Sequence, residues 1–367
     1  MTPAPAPSTR LDRVRVLLDE LVLDAIVVSR NANKRYLAGF VIARGDEPTS
    51  GFSGTLVVGP ERQTLLADAR YVEQAADETP GWEVRRTSGR LDRELAALLG
   101  DARRVGLEAR VLSHADWSAV AEALPGAELV AVDAPLNALR VVKDEAEVEA
   151  VERAAALTDA CFGHLIGWLR PGVSERQVAW ELDDWFRQHG AEDLAFEPIV
   201  LVGPRAAMPH GRPGTTPIES GEPLLIDFGC QVDGYRCDMT RTIFVGEPSE
   251  RQRELYAAVL EAQRAAYHAL RPGMTGRELD AVARASLAEA GLGEAFTHGL
   301  GHGIGLETHE APMLLHHDEP LRPGMVFSLE PGVYLPGEIG IRIEDDVVLT
   351  DDGPRYLTCS PRELLAI

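Results

Sequence analysis

The sequence has few basic residues for its length, few cysteines and no long hydrophobic run. Its 36 lysines and arginines are outnumbered by 58 aspartates and glutamates, and the 367-residue chain has a formal net charge of −22. A surface with this charge repels nucleic acids and anionic membranes, which excludes both as principal partners. The longest apolar runs, such as Ala25–Val28, have the length of a strand, whereas a membrane helix needs about 20 apolar residues.

Cysteine and secretion signals are equally scarce. The four cysteines, Cys161, Cys230, Cys237 and Cys359, have no CxxC spacing, so neither a disulfide framework nor a thiolate metal site is indicated. The opening MTPAPAPSTR contains no apolar core of a signal peptide. Together these features predict a cytoplasmic protein with free thiols.

The composition is otherwise that of an ordinary globular protein, with 45% hydrophobic and 26% charged residues. The length suggests two domains, and we expect an α/β domain over 1–135, a linker over 136–143 and a second domain over 144–367. In the first domain, short β-rich runs alternate with amphipathic stretches. The predicted strands are 25–29, 54–59, 64–67, 83–86 and 105–107, and the predicted helices are 11–23, 92–99 and 115–124.

The second domain contains an internal repeat. The segment LRPGVSERQ returns 101 residues later as LRPGMTGRE, and in both copies a predicted helix ends at Pro-Gly and the next begins with a capping box. Two carboxylate pairs follow the same division, because Asp227 and Asp238 lie in the first half and Glu330 and Glu344 in the second. We therefore expect two related α/β halves, each of which donates a carboxylate pair from a hairpin.

These four carboxylates lie at apolar strand positions, and we expect Glu344 inside a strand over 341–348. Burying such charges without partners costs on the order of several kcal/mol each, and divalent cations between them would remove that cost. The glycine-rich run THGLGHGIGL adds His298 and His302, and His309 follows. One imidazole with four carboxylates is an oxygen-rich ligand set, which suits Mn²⁺, Co²⁺ or Zn²⁺ and is large enough for two ions.

The motifs IDFG, DMTRT, GLGHGIG, SLEPGVY and IRIED together resemble those of the M24B metallopeptidases of the pita-bread fold, the prolidases (Xaa-Pro dipeptidases) and aminopeptidases P. The resemblance covers the chain from about residue 143 to its end, and it extends more weakly to an N-terminal domain of the creatinase/prolidase type. It implies that two divalent metal ions are bound by Asp227, Asp238, His302, Glu330 and Glu344. Creatinases share both domains but lack these ligands.

The resemblance also implies catalytic roles. Glu330 would act as general base towards a metal-bridging hydroxide that attacks the Xaa-Pro bond. His298 and His309 match positions that contact the substrate carbonyl and the tetrahedral intermediate, and His210 matches a histidine near the substrate proline.

Further residues are candidates for substrate binding. Phe196 and Tyr334 would form an apolar wall for proline, and Arg342 would either meet the substrate carboxylate or pair with a metal-bound acid. Arg44 lies on a long loop over 39–54, where it would read the substrate C-terminus or pair with acids of the same loop.

The sequence leaves several functions open. A prolidase that cleaves Xaa-Pro dipeptides is favoured, an aminopeptidase P acting on longer Xaa-Pro peptides is the alternative, and a catalytically inactive pita-bread binding protein is a remote one. The resemblance also implies a homodimer whose partner molecule is a small proline-containing peptide.

Overall fold

The structure is a computed structural model that describes residues 9–42, 53–87 and 90–367. The chain divides into two compact units between Arg140 and Val141. This division falls inside the segment 136–143 that sequence analysis treats as a linker, and the first residues of that segment belong to a helix that ends at Ala138.

The N-terminal unit is an α/β domain built on one six-stranded sheet. Its elements are α1 (Arg10–Leu21), β1 (Ala25–Val28), α2 (Asn31–Ala38), β2 (Thr55–Val58), β3 (Gln63–Ala67), α3 (Val72–Glu78), β4 (Glu83–Arg86), α4 (Leu91–Leu99), β5 (Arg104–Leu107), α5 (His114–Ala123), β6 (Glu128–Ala131) and α6 (Asp133–Ala138). The strand order is β4-β3-β2-β1-β5-β6, with β2 antiparallel to both of its neighbours and the other pairs parallel. Leu91 and Leu95 of α4 and Val120 of α5 pack in one core with the sheet residues Val27 and Val105.

The eight elements predicted for this unit are all present, and each predicted end lies within two residues of the observed one. Sequence analysis missed the short elements α2, α3, β6 and α6, which offer too few apolar residues to define a period. Arg44 and most of the predicted loop lie outside the described residues.

The C-terminal unit combines four long helices with several small sheets. Its helices are α7 (Glu145–Trp168), α8 (Glu175–Gln188), α9 (Glu250–Ala269) and α10 (Gly276–Glu289). Its strands are β7 (Asp193–Leu194), β8 (Ile199–Val202), β9 (Pro223–Phe228), β10 (Cys230–Val232), β11 (Tyr235–Arg236), β12 (Met239–Phe244), β13 (His302–Gly303), β14 (Glu310–Met313), β15 (Val326–Leu329), β16 (Gly332–Leu335), β17 (Ile339–Arg342), β18 (Asp345–Thr350) and β19 (Gly353–Tyr356). Within the described ranges, no helix has both the length and the hydropathy needed to cross a bilayer.

The two halves expected from the repeat are visible in the helices of this unit. Helices α8 and α10 are both 14 residues long, and both begin with the predicted capping box. The Ser174 side chain accepts from the Gln177 amide, and the Thr275 side chain accepts from the Glu278 amide. The two N-cap residues also make equivalent isolated bridges, Ser174 to Pro217 and Thr275 to Pro320.

The strands repeat in the same way. In the first half β9 pairs antiparallel with β12 and the β10–β11 hairpin lies between them in sequence. In the second half β15 pairs antiparallel with β18 and the β16–β17 hairpin lies between them. Each half therefore presents the ends of one antiparallel strand pair, and these ends carry the predicted carboxylates.

Candidate metal centre

The four predicted carboxylates lie on or directly beside the paired strands of the two halves. Asp227 lies in β9, Asp238 precedes β12 and Glu330 follows β15. The prediction of one strand over 341–348 is wrong, because Glu344 lies in a break between β17 and β18. At this break the chain leaves the β16–β17 hairpin, and the Glu344 amide donates to the Thr240 carbonyl at 3.1 Å.

The side chains converge in a cavity of about 470 Å³ within the C-terminal unit. Asp238, His302 and Glu344 each offer one ligand atom, and these atoms lie within 4.8 Å of one another. His302 Nε2 also lies 3.5 Å from Glu330 Oε1 and 3.8 Å from Asp238 Oδ2. Asp227 lines the same cavity.

The electrostatics of these carboxylates fit divalent metal ions. Burial, followed by repulsion from neighbouring acids, raises the pKa of Asp238 and of Glu344 well above their ordinary values. Burial raises the pKa of Glu330 to about 8, while Arg342 opposes that rise. Asp227 Oδ1 and Asp238 Oδ1 are buried and have no hydrogen-bond partner among the described residues. Burying an acceptor without a hydrogen-bond partner costs free energy, and bound cations would remove that cost.

His302 is prepared as a neutral ligand. Burial, together with the nearby His309, lowers the pKa of His302 to about 3. Its Nδ1 lies 3.1 Å from the Gly303 carbonyl, which can only accept, so Nδ1 carries the proton and Nε2 keeps its lone pair. That lone pair faces Glu330 and Asp238.

The glycines of the histidine-bearing run have a packing reason. A Cβ at Gly301 would lie 2.0 Å from the Ser328 carbonyl oxygen, and one at Gly303 would lie 2.2 Å from the Ala311 carbonyl oxygen. Only glycine permits the backbone on both sides to approach this closely. The run therefore fits between β14 and β15 and holds His302 beside the carboxylates.

Arg342 connects the first carboxylate to two further side chains. Its guanidinium donates to Asp227 Oδ2 at 2.6 Å, to Tyr334 Oη at 2.9 Å and to Thr240 Oγ1 at 2.9 Å. The Thr240 hydroxyl in turn donates to Glu344 Oε2 at 2.6 Å. Of the two roles expected for Arg342, the structure contains the ion pair with an acid of the cluster.

Tyr334 lies behind the cavity rather than along its wall. Its ring is buried, and the cavity lining does not include it. Because the Gly299 carbonyl beside His298 Nδ1 can only accept, Nε2 of the neutral ring is the acceptor, and the Tyr334 hydroxyl donates to it at 2.8 Å. His298 Nδ1 donates to the Gly299 carbonyl at 2.8 Å, so both ring nitrogens are engaged within the protein. Burial, together with Arg342, lowers the pKa of His298 to about 4.

Three other predicted residues line the cavity. Phe196 is half-buried, while His210 and His309 are exposed to the cavity and its mouth. The cavity walls desolvate part of the His309 ring, and this partial desolvation, together with the nearby His210, lowers the pKa of His309. Arg44 cannot be placed, since it lies outside the described residues.

Thr240 and Arg212 were not predicted, and of the two only Thr240 lies inside a motif quoted above. Thr240 belongs to DMTRT, where the alternation of Asp238, Thr240 and Thr242 places all three on one face of a strand. Arg212 follows His210 by two residues and also lines the cavity. The period of two was therefore an available signal for Thr240.

The family models and known proteins that this chain matches are consistent with a metal centre at this site. The model of metallopeptidase family M24 matches residues 149–351, and that of the creatinase/prolidase N-terminal domain matches residues 10–142. An Xaa-Pro dipeptidase from Pyrococcus furiosus is 36% identical over 357 residues, which cover 97% of this chain and 99% of that protein.

Solved structures extend the comparison. The chain is similar to an Xaa-Pro dipeptidase from Bacillus anthracis, with a TM-score of 0.91, 39% identity and coverage of 97% of this chain and 99% of that chain. It is also similar to an X-Pro aminopeptidase from Thermotoga maritima MSB8, with a TM-score of 0.85, 35% identity and coverage of 95% and 99%. The expected pita-bread fold is confirmed, and the family implies divalent metal ions. The chain belongs to metallopeptidase family M24 and carries an N-terminal domain of the creatinase/prolidase type.

Proposed function

We propose that this metallopeptidase is a prolidase, an enzyme that hydrolyses the Xaa-Pro bond of dipeptides. The observation that carries the proposal is the group of buried carboxylates with unpartnered oxygens at the base of a cavity. Relatives named Xaa-Pro dipeptidase, similar over nearly the whole chain, support the same substrate class.

Two divalent ions would be held by Asp227, Asp238, His302, Glu330 and Glu344. When bound, such ions lower the pKa of water and polarise a carbonyl group. The oxygen-rich set favours Mn²⁺ or Co²⁺, and Zn²⁺ remains compatible with it. Thr240 and Arg342 would orient two of the ligands, because they bond to Glu344 and Asp227 respectively.

Glu330 is the residue proposed to accept and pass on a proton. Its carboxyl lies in the cavity beside His302, and its raised pKa shows how poorly this position solvates a charge. His309 and His210 are proposed to contact the substrate, since both are exposed in the cavity. His298, with both nitrogens engaged, would position Tyr334 and Arg342 rather than donate to the substrate.

The cavity also has an apolar side that suits proline. Phe196, Pro198 and Ile199 line it together with Met313 and Leu315. An Xaa-Pro bond has no amide hydrogen and a fixed φ, so strand-like recognition is not available to ordinary peptidases. We propose that this wall receives the pyrrolidine ring.

The test is a steady-state assay on chelator-stripped protein that is restored in turn with Mn²⁺, Co²⁺ and Zn²⁺. It compares an Xaa-Pro dipeptide with the Xaa-Pro-Xaa tripeptide of the same first residue. Metal-dependent cleavage that is faster for the dipeptide is expected. Absence of metal-dependent cleavage of either peptide would contradict the proposal.

Aminopeptidase P is the second candidate function. It is favoured by the similarity to the Thermotoga maritima X-Pro aminopeptidase. Efficient tripeptide cleavage in the same assay would establish it over the dipeptidase. The homodimer and the cytoplasmic location stay predictions, and sedimentation of the purified protein would test the first.

A further inference from the structure

The cavity of the metal centre is lined by two arginines and no lysine within the described part of the chain. Arg342 is 3% exposed, and all three of its donor nitrogens are already bound to Asp227, Tyr334 and Thr240. Arg212 has the opposite environment, because its side chain is 86% exposed. Arg212 is therefore the lining cation that can still bind a ligand.

The loop that carries Arg212 is held in place by hydrogen bonds to the buried carboxylate of Glu175. Glu175, at the start of α8, accepts from the Val202 amide at 2.9 Å, from Arg205 Nε at 2.9 Å and from the Gly214 amide at 2.7 Å. Arg205 Nη2 donates to the Arg212 carbonyl at 2.8 Å. The loop 208–214 is thus fixed at its base, and it presents both His210 and Arg212 to the cavity.

The ionic surroundings of the Arg212 head group are weak. Its one ionic contact within the described ranges is Glu197, with 3.9 Å between Arg212 Nε and Glu197 Oε2. Glu197 is itself 70% exposed, and an exposed pair at this distance contributes little. A carboxylate ligand that makes a bidentate contact would replace it readily.

We propose that Arg212 binds the free carboxylate of the proline residue in an Xaa-Pro dipeptide and so selects dipeptides over substrates that continue beyond proline. The inference rests on the proposed prolidase function and deepens it. The acids of the metal centre occupy the base of the cavity, so a guanidinium on the lining loop is suited to the acidic end of the substrate. Glu197 competes with that carboxylate for Arg212.

The test compares an Xaa-Pro dipeptide with its Xaa-Pro amide, which lacks the carboxylate, on the manganese-loaded enzyme. For Arg212→Gln we expect KM for the dipeptide to rise about tenfold, which is the scale of one charge-assisted hydrogen bond at an exposed site, with kcat retained. Kinetics on the amide should not change. For Arg212→Lys we expect a dipeptide KM between those of the wild type and Arg212→Gln. Because the pair with Arg212 is weak, Glu197→Gln should lower KM for the dipeptide only slightly and leave the amide unchanged.

Arg253→Gln is the matched control, because Arg253 is an exposed, ion-paired arginine of α9 that does not line the cavity. It should leave both substrates unaffected. An unchanged dipeptide KM in Arg212→Gln would overturn the inference. Equal losses on dipeptide and amide would also overturn it, since they indicate a disturbed loop. Failure of the wild type to cleave either substrate would instead refute the prolidase function, and the inference with it.

Discussion

Glu344 and Asp345 are neighbours in sequence, both are buried, and they have opposite surroundings. Glu344 receives one side-chain hydrogen bond, from Thr240, and faces the other acids of the metal centre. Asp345 is surrounded by donors on the other face of the same chain segment. Its carboxylate accepts from Arg241, Thr358, Gln263 and Arg362.

Strand geometry explains how adjacent residues reach two such different places. Side chains alternate between faces, so Thr240 and Glu344 point one way while Arg241 and Asp345 point the other. Arg241 also donates to the Ser360 and Pro361 carbonyls, and Arg362 donates to the Thr358 carbonyl and packs over Tyr356. We call the group of Arg241, Gln263, Asp345, Thr358 and Arg362 the tail cluster, since it fastens the C-terminal residues.

Asp345 is therefore a buried carboxylate that stabilises the fold, whereas the carboxylates of the metal centre are available to bind a ligand. The tail cluster satisfies its buried acid completely, as a buried charge requires. The metal centre leaves the Oδ1 acceptors of Asp227 and Asp238 open and raises the pKa of Asp238, Glu330 and Glu344, which is a cost to the metal-free fold. Because Arg241 also donates to the Glu344 carbonyl at 2.6 Å, the tail cluster holds the backbone of the metal centre.

The largest expected effect on activity comes from neutralising the proposed metal ligand Glu344. We expect Glu344→Gln to abolish measurable Xaa-Pro cleavage, because it removes a charged metal ligand, while the metal-free protein unfolds at the same or a higher urea concentration. The amide oxygen can still accept from Thr240, and repulsion between the acids falls. A metal-free Glu344→Gln protein that is clearly less stable than metal-free wild type would remove the distinction between the two clusters.

The corresponding substitution in the tail cluster is Asp345→Ala. This change leaves the Arg241 guanidinium buried without its acid, so the free energy of unfolding should fall by about 3–5 kcal/mol with or without metal. Urea unfolding followed by circular dichroism measures it. Asp183→Ala is the matched control, because Asp183 pairs with Arg187 on the exposed face of α8, and its loss should cost less than about 1 kcal/mol. Similar losses in both variants would contradict the structural role of the tail cluster.

A smaller effect is expected from Thr240→Val. It removes the hydroxyl that bonds Glu344 and receives Arg342, so the affinity for Mn²⁺ should fall about 10–100-fold while the fold persists. Calorimetric titration of metal-free protein measures it. Thr242→Val is the control on the same strand face, since the Thr242 hydroxyl bonds the Arg342 main chain and no ligand. Equal losses of Mn²⁺ affinity in Thr240→Val and Thr242→Val would show that the hydrogen bond from Thr240 to Glu344 does not determine the affinity.

The smallest effect concerns the pH dependence of the metal-free protein. Burial raises the pKa of Glu330 from 4.5 to about 8, so the folded state holds a proton that the unfolded state has released. Its contribution is fully present below pH 4.5 and is lost as the pH rises through about 8. Stability should therefore fall over this range, and less steeply in Glu330→Gln. Urea midpoints across the range measure it, and identical slopes would be evidence against the raised pKa.

The sequence predicted the ligand set better than the network that supports it. The four acids and His302 stand out because buried acids and a glycine-rich histidine run are unusual locally. The partners of these residues are not local, since Thr240 meets Glu344 and Arg342 meets Asp227 across more than a hundred residues. Such contacts depend on how the two halves of the C-terminal unit pack together, and the hydrophobic periodicity of the sequence contains no information on that packing.

The helices and strands show the same limit. Capping boxes and apolar runs predicted α8, α10 and most strands of the first unit, because these are local signals. The break before Glu344 was not predicted, since it arises where the chain passes from one sheet to another and the apolar pattern continues through it.

The function proposed for the open acceptors at the ends of the paired strands is to hold metal ions. Titration of Mn²⁺ into chelator-stripped protein, with the binding heat and the thermal unfolding midpoint recorded together, is the experiment that would test this function. We expect two ions to bind per chain, and each to stabilise the fold by about 2.7 kcal/mol once free Mn²⁺ reaches a hundred times the dissociation constant of its site. No binding heat and an unchanged midpoint would contradict it.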